Sequence, residues 1–94
     1  MIERDADRIR VRGEMTLTTV PALLPLGAAQ LESGAGIVDL SGVTAVDSSA
    51  VALLLEWTRV AQRRGGSIAF HHPGENLISL VKLYDVSALL PFPR

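Results

Sequence analysis

This chain is predicted to adopt an α/β fold in which a mixed, largely parallel sheet carries its helices mainly on one face. Strand-like and helix-like segments alternate along the sequence in the order β-β-α-β-α-β-α. The chain has 94 residues, which suits one domain spanning residues 1–94, and 48% of them are hydrophobic, as in an ordinary globular protein. Because crossovers between parallel strands are right-handed, so small a sheet is expected to carry its helices mostly on one side.

The N-terminal segment MIERDADRIRVRG predicts two short strands joined by a turn at residues 5–7. In the second strand, Ile9 and Val11 alternate with arginines, which gives one buried and one solvated face. Gly13 is expected to end this strand.

The segment TLTTVPALLPLGAAQLES predicts the first helix. Thr18 or Thr19 can cap it, and Pro21 is tolerated in a first turn. Pro25 has no N–H to donate to the carbonyl of residue 21 and crowds that carbonyl. A kink or a late helix start is therefore expected at Pro25.

The second half of the chain predicts two more strands and two more helices. GIVDL has the β-branched content of a short buried parallel strand, and SGVTAV is expected to connect it to a helix from about Ser48 to Arg64. SIAFHH is the next predicted strand. PGENLISLVKLYD predicts the last helix, and VSALLPFPR is an apolar tail that Pro91 and Pro93 are expected to stop. The apolar stripe of the last helix consists of Leu77, Leu80, Val81 and Tyr84.

Composition excludes several classes of protein. Proteins that bind nucleic acids usually carry a surplus of basic residues, so the net charge of −1 argues against a nucleic-acid partner. The absence of cysteine excludes a disulfide scaffold and a thiol nucleophile. The start of the chain has no apolar stretch that could act as a secretory signal, and the longest apolar run, AVALLL, is far below the ~18 residues of a membrane span. A soluble cytoplasmic domain without direct membrane insertion is therefore expected.

The stretch VDSSAVALLLEW contains an acid and two hydroxyls directly before an apolar helix. Asp47 suits the N-cap, because its carboxylate can accept from the N–H groups of the first turn and favours the positive end of the helix dipole. Capping does not explain Ser48 and Ser49. Three roles therefore remain open for these two serines: they can take part in catalysis, bind a partner, or only begin the helix.

Catalytic and metal-binding patterns do not converge on these serines. A nucleophilic serine needs a base, and His71 and His72 are adjacent on a predicted strand, so they are expected to point to opposite faces. The sequence contains no G-x-S-x-G, H-E-x-x-H, Walker or G-x-G-x-x-G motif. We therefore expect no catalytic residue, metal site or cofactor, and a hydrolase that uses Ser48 is the weakest alternative.

The helix that follows the serines has a wide apolar arc. Two adjacent apolar stripes leave one outer face, formed by Ala52, Glu56, Arg59 and Arg63. Trp57 lies near the border of the apolar arc. It can either pack in the core or serve as an anchor for a protein partner, because tryptophan is enriched in binding hot spots.

The segment IVDLSGVTAVDSSAVALLLEW resembles the signature of STAS domains, which are named for sulfate transporters and anti-sigma factor antagonists. In that signature, a strand ends in DLS and, after a short connection, an Asp-Ser-Ser-Gly or Asp-Thr/Ser-x-Gly motif opens a helix. RVRGEM is similar to the early strand of the family, which is followed by Gly-Glu-Leu. The segments ALLPL, VALLLEW, AQRRGG and LVKLYDVSALLPFPR are similar to the single-domain STAS subunits of the Mla phospholipid-transport complexes of Gram-negative bacteria.

This resemblance implies a four- to five-stranded mixed sheet and no enzymatic activity. It further implies a cytoplasmic subunit that binds the ABC ATPase of a complex maintaining outer-membrane lipid asymmetry, and that reaches the membrane permease only through the ATPase. The functional hydroxyl of the family falls on Ser48. The serine that is phosphorylated in anti-sigma factor antagonists falls on Ser49, with Ala50 in place of the glycine that follows it.

The start of the second helix and its outer face are therefore the expected partner surface. The alternative is a signalling protein that binds an anti-sigma kinase and is switched by phosphorylation at Ser48 or Ser49. The candidate partner-binding residues are Ser48, Ser49, Ala52, Glu56, Trp57 and Arg59.

Overall fold

The computed structural model describes residues 1–92, and Pro93 lies outside the described residues. Within them, the elements follow the predicted order, and a short 3-10 helix, Ser87–Leu89, comes after the last α-helix. The elements are β1 (Ile2–Asp5), β2 (Arg8–Met15), α1 (Val20–Glu32), β3 (Ile37–Val46), α2 (Ser48–Arg63), β4 (Ala69–His71) and α3 (Glu75–Leu83).

The sheet is mixed, and its strands lie in the order β1-β2-β3-β4. β1 and β2 form the predicted antiparallel hairpin, whereas β2, β3 and β4 run parallel to one another. Parallel neighbours need a crossover connection, which α1 supplies between β2 and β3 and α2 supplies between β3 and β4. The carboxyl ends of these three parallel strands consequently meet at one edge of the sheet.

The core lies between the helices and one face of the sheet. Ile9 and Val11 of β2 are fully buried, while Arg10 and Arg12 alternate with them and are exposed. Buried residues of all three helices join the same hydrophobic cluster. The predicted fold class, with helices mainly on one face, is confirmed.

β3 is much longer than predicted. It runs through SGVTAV to Val46, and the prediction of a connecting segment there was wrong. Its pairing with β2 shifts register at two places, each of which adds one residue on β3, as β-bulges do. Gly13 does not end β2 but lies at the second shift with a φ of +91°, and the strand continues to Met15. The bulges let Met15 and Val46 end side by side.

α1 begins at Val20, so of the two alternatives expected at Pro25, a kink or a late helix start, the late start was wrong. Pro21 occupies the first turn as predicted, and the helix continues through Pro25. Both prolines are exposed, so water can hydrate the carbonyl that Pro25 leaves without a donor. Thr19 is the N-cap residue, but its side chain does not cap the helix because its hydroxyl closes the preceding loop instead.

α1 and α2 pack closely where a glycine faces the only tryptophan. Trp57 is fully buried, and its indole N–H donates to the carbonyl of Leu24 at 3.1 Å. A Cβ at Gly27 would lie 2.2 Å from Cζ2 of Trp57. The absence of a side chain at position 27 therefore lets the indole fit between the two helices.

The last helix matches its predicted position, with one error in its apolar stripe. Leu77 and Val81 are buried and Leu80 is partly buried, but Tyr84 follows the end of α3 and is 49% exposed. β4 covers only three residues of the predicted strand SIAFHH.

The tail returns to the outer edge of β4. The backbone N–H of Phe70 donates to the carbonyl of Pro91 at 3.1 Å. The rings of Phe70 and Phe92 lie 5.9 Å apart between centroids, and Leu90 is buried in the core cluster. The apolar tail thus covers the free edge of β4, beside which no further strand lies among the described residues.

Asp39 is a buried carboxylate on the sheet face away from the helices. Its Oδ2 accepts from Nη1 of Arg8 at 3.3 Å and from Nε of Arg10 at 3.4 Å, and its Oδ1 accepts from the backbone N–H of Ser41 at 2.9 Å. Burial raises the pKa of Asp39, but the hydrogen bonds from Ser41 and Arg10 outweigh it and lower the pKa from 3.8 to about 2. The carboxylate is therefore held in its charged form.

Acid is expected to destabilise the fold through Asp39. Because its pKa is lower in the folded protein, its contribution is complete above the unfolded pKa of about 4 and is lost as the pH falls towards 2. The shift corresponds to roughly 2 kcal/mol. Urea unfolding at about pH 7 and about pH 2.5 should show a smaller pH-dependent loss in Asp39→Asn than in the wild type or in the exposed control Asp7→Asn. Equal losses in all three proteins would contradict this assignment.

Candidate partner-binding site

The candidate site lies at the sheet edge where β2 and β3 end together. Met15 pairs with Val46 in the parallel register, and the backbone N–H of Asp47 donates to the carbonyl of Met15 at 3.4 Å. α2 begins one residue later, at Ser48. The extension of β3 by its bulges therefore sets where the start of α2 lies relative to the end of β2.

Asp47 is the N-cap of α2, as the sequence predicted. Its Oδ1 accepts from the backbone N–H of Ser49 at 2.8 Å. Its Oδ2 accepts from the backbone N–H of Leu17 at 2.8 Å, a contact across 30 residues of sequence. The hydrogen bond from Leu17, followed by the one from Ser49, lowers the pKa of Asp47. One charged carboxylate thus joins the start of α2 to the loop before α1.

That loop is closed by its own hydrogen bonds. The hydroxyl of Thr19 accepts from the backbone N–H of Thr16 at 2.9 Å and donates to the carbonyl of Glu14 at 2.8 Å. The backbone N–H of Thr19 also donates to the carbonyl of Thr16 at 2.9 Å. Together with the bond to Asp47, these contacts fix the backbone of residues 14–19 beside the start of α2.

The first two turns of α2 present small side chains to solvent. Ser48 and Ala52 are exposed, and Ser49 is half-buried. Ala50, which stands where the STAS signature has glycine, is fully buried. A partner can therefore approach the backbone of α2 closely at positions 48 and 52, but not at position 50.

The same face of α2 continues with charged residues. Glu56 is half-buried and accepts from Arg59 at 3.4 Å, while Arg63 lies 3.5 Å from its other carboxylate oxygen. Such exposed pairs contribute little to stability. We call the exposed and half-buried residues of this face the helix-start surface; its members are Ser48, Ser49, Ala52, Glu56 and Arg59.

Trp57 does not belong to this surface. Its side chain is fully buried, so the expectation of a partner anchor at the border of the apolar arc is corrected. Because the indole packs on Gly27 of α1, its role is in the core, which the sequence had left as the other possibility. The contact between Trp57 and Gly27, which lie far apart in the sequence, distinguishes core packing from the role of partner anchor.

The histidines do not lie on opposite faces as predicted. His72 follows the end of β4 with a φ of +57°, which turns its ring back to an edge-on contact with His71 at 6.0 Å between centroids. Within residues 1–92, neither serine hydroxyl is hydrogen-bonded to a histidine, and no group of three acidic, histidine or cysteine side chains could hold a metal ion. None of the helices described is long and apolar enough to cross a membrane.

Leu17 is the feature of the site that the sequence did not indicate. Its side chain is 75% exposed although its backbone is bonded to Asp47. The sequence places it in an apparent helix cap, TLTT, with no pattern that links it to residue 47. The only feature of the sequence that could have pointed to Leu17 is that it is a single apolar residue among threonines.

Known proteins match nearly the whole chain. Residues 1–91 match the family model described as "Mlab, STAS domain". The intermembrane phospholipid transport system binding proteins MlaB of Escherichia coli (strain K12) and Shigella flexneri are each 32% identical over 84 residues, which cover 87% of this chain and 84% of the relative.

Solved structures share the fold at lower sequence identity. A Thermotoga maritima protein described as an anti-sigma factor antagonist superposes with a TM-score of 0.76 at 15% identity, covering 98% of this chain and 83% of its own. The unphosphorylated anti-sigma factor antagonist SpoIIAA superposes with a TM-score of 0.73 at 17% identity, covering 100% of this chain and 87% of its own. At these identities, the likeness shows the fold alone.

Proposed function

The chain belongs to the MlaB-type STAS domain family, and from that membership we propose that it is a non-enzymatic subunit of an intermembrane phospholipid-transport system. Its relatives are named as binding proteins of an intermembrane phospholipid transport system, and the chain covers 84% of their length. In this proposal, it binds the ABC ATPase of the system and supports or regulates that ATPase. Transport by the whole complex would maintain the lipid asymmetry of the outer membrane.

The observation that carries the proposal is the exposed, rigid start of α2. Ser48 and Ala52 leave room for the backbone of a partner, and Asp47 holds the turn to the neighbouring loop. Glu56 and Arg59 then supply charge at the margin, where polar contacts set orientation more than affinity. This arrangement suits recognition by a protein rather than turnover of a substrate.

The proposed cellular location of the protein follows from the proposed ATPase partner. A subunit held by the ATPase would lie in the cytoplasm, peripheral to the inner membrane, and would contact the permease only indirectly. The net charge of −1 gives no support for nucleic acid as the partner.

Replacement of Ala52 by arginine tests the proposed surface. A long charged side chain on an exposed position should leave the fold intact, because surface substitutions usually change stability by about 0.5 kcal/mol or less. It should abolish capture of the ABC ATPase of the same transport system in a pull-down, since the new side chain would hold the two surfaces apart. Ala29→Arg, on an exposed position of α1, is the matched control and should bind like the wild type.

Two outcomes would contradict the proposal. Unchanged ATPase binding by Ala52→Arg would move the interface away from the helix-start surface. Capture of an anti-sigma kinase by the wild type, with no ATPase, would favour the signalling alternative. For that alternative, Ser49 is the less accessible of the two serines, being half-buried with its N–H bonded to Asp47.

A further inference from the structure

Leu17 combines exposure with a fixed backbone. Its side chain is 75% exposed, so the folded protein does not gain the free energy that burying this leucine would supply. The loop around it is closed by the hydroxyl of Thr19, and its own N–H is bonded to Asp47. A flexible loop could fold a leucine back onto the protein, but this loop holds it outward.

The hydrogen bond to Asp47 also fixes where Leu17 lies. The same carboxylate caps α2, so the backbone N–H groups of Leu17 and Ser49 bind the two oxygens of one side chain. Leu17 is therefore continuous with the helix-start surface, although it comes from a different connection of the fold. Ala52 lies one turn further along α2.

We propose that Leu17 is the apolar anchor of the helix-start surface and inserts into an apolar pocket on the ABC ATPase. This rests on the proposed function. Protein interfaces usually have an apolar centre and a polar margin. In the helix-start surface, serines, an alanine and charged residues supply the margin but no large apolar group, and Leu17 supplies one. Because its backbone is already ordered, binding costs little additional backbone entropy.

The test compares two equally exposed leucines. Leu17→Ser, in the loop before α1, and Leu83→Ser, at the last residue of α3, remove side chains that are 75% and 73% exposed, so both proteins should fold like the wild type. Titration with the purified ABC ATPase should show a loss of affinity of about tenfold or more for Leu17→Ser. Leu83→Ser should bind like the wild type, and Leu17→Met, which nearly conserves volume, should retain most of the affinity.

The outcomes separate this inference from the proposed function. If the wild type binds the ATPase, Ala52→Arg does not, and Leu17→Ser binds normally, then Leu17 is not the anchor although the proposed function stands. Equal losses for Leu17→Ser and Leu83→Ser would also overturn the inference, because any exposed leucine would then have the same effect. Failure of the wild type to bind the ATPase would overturn the proposed function, and this inference with it.

Discussion

Gly27→Ala is expected to lower the melting temperature by about 10 °C, although alanine is the better helix former. Helix propensity alone would make this change stabilising by about 1 kcal/mol. The new Cβ, however, would lie 2.2 Å from Cζ2 and 2.3 Å from Cε2 of Trp57, distances that force α1 or the indole to move. Overpacking of a buried site costs about 1–3 kcal/mol or more, and each kcal/mol shifts the melting temperature of a domain this small by roughly 4–8 °C.

A double-mutant cycle would assign the loss to this contact. Phenylalanine at position 57 lacks the ring atoms nearest to position 27, so Trp57→Phe should relieve part of the cost of Gly27→Ala. Ala29→Gly, on an exposed position of the same helix, reports propensity alone and should cost about 1 kcal/mol. A rise in melting temperature for Gly27→Ala would show that the two helices are not packed as described.

Ser48→Asp should leave the fold nearly unchanged and weaken the ATPase complex by about a hundredfold. Ser48 is exposed in the first turn of α2, where a carboxylate is favoured by the helix dipole by about 0.3–1 kcal/mol. The neighbouring charge on Asp47 offsets part of that gain. At the proposed interface, the new charge would be desolvated without a partner, which costs several kcal/mol. A cost of about 3 kcal/mol corresponds to two orders of magnitude in affinity.

Melting and titration on the same preparation would decide this prediction. Ser79→Asp places the same charge on an exposed position of α3 and should affect neither measurement. Phosphorylation of Ser48 would act in the same direction as Ser48→Asp, with more charge and bulk. A collapse of the melting temperature, with normal binding by the protein that remains folded, would show that Ser48 has a structural role only.

Local patterns in the sequence predicted most of the fold. The alternation of Ile9 and Val11 with arginines indicated the buried face of β2, and the acid at position 47 indicated the cap of α2. These signals work because a strand, a cap or an amphipathic helix depends on neighbours within a few residues. The order of elements, and hence the sheet, follows from them.

Contacts between distant residues account for what the sequence missed. SGVTAV forms strand only because β2 runs beside it and its bulges absorb two extra residues. Trp57 is buried because Gly27, on another helix, leaves space for it. Leu17 joins the site through a bond to Asp47 that spans 30 positions. None of these pairs is visible in a local window, so neither the length of β3 nor the full outline of the site could be predicted.

The arrangement at the two sides of the sheet has a consequence for self-association. An unpaired strand at the end of a sheet is a template on which further chains can add and aggregate. β1 carries Glu3, Arg4 and Asp5 in its four residues, and such charges oppose the docking of a second strand. On the other side, the N–H of Phe70 that would recruit a strand is already bonded to Pro91. Deleting residues 90–94 would expose that donor, so the truncated protein should be the more prone to form fibrils.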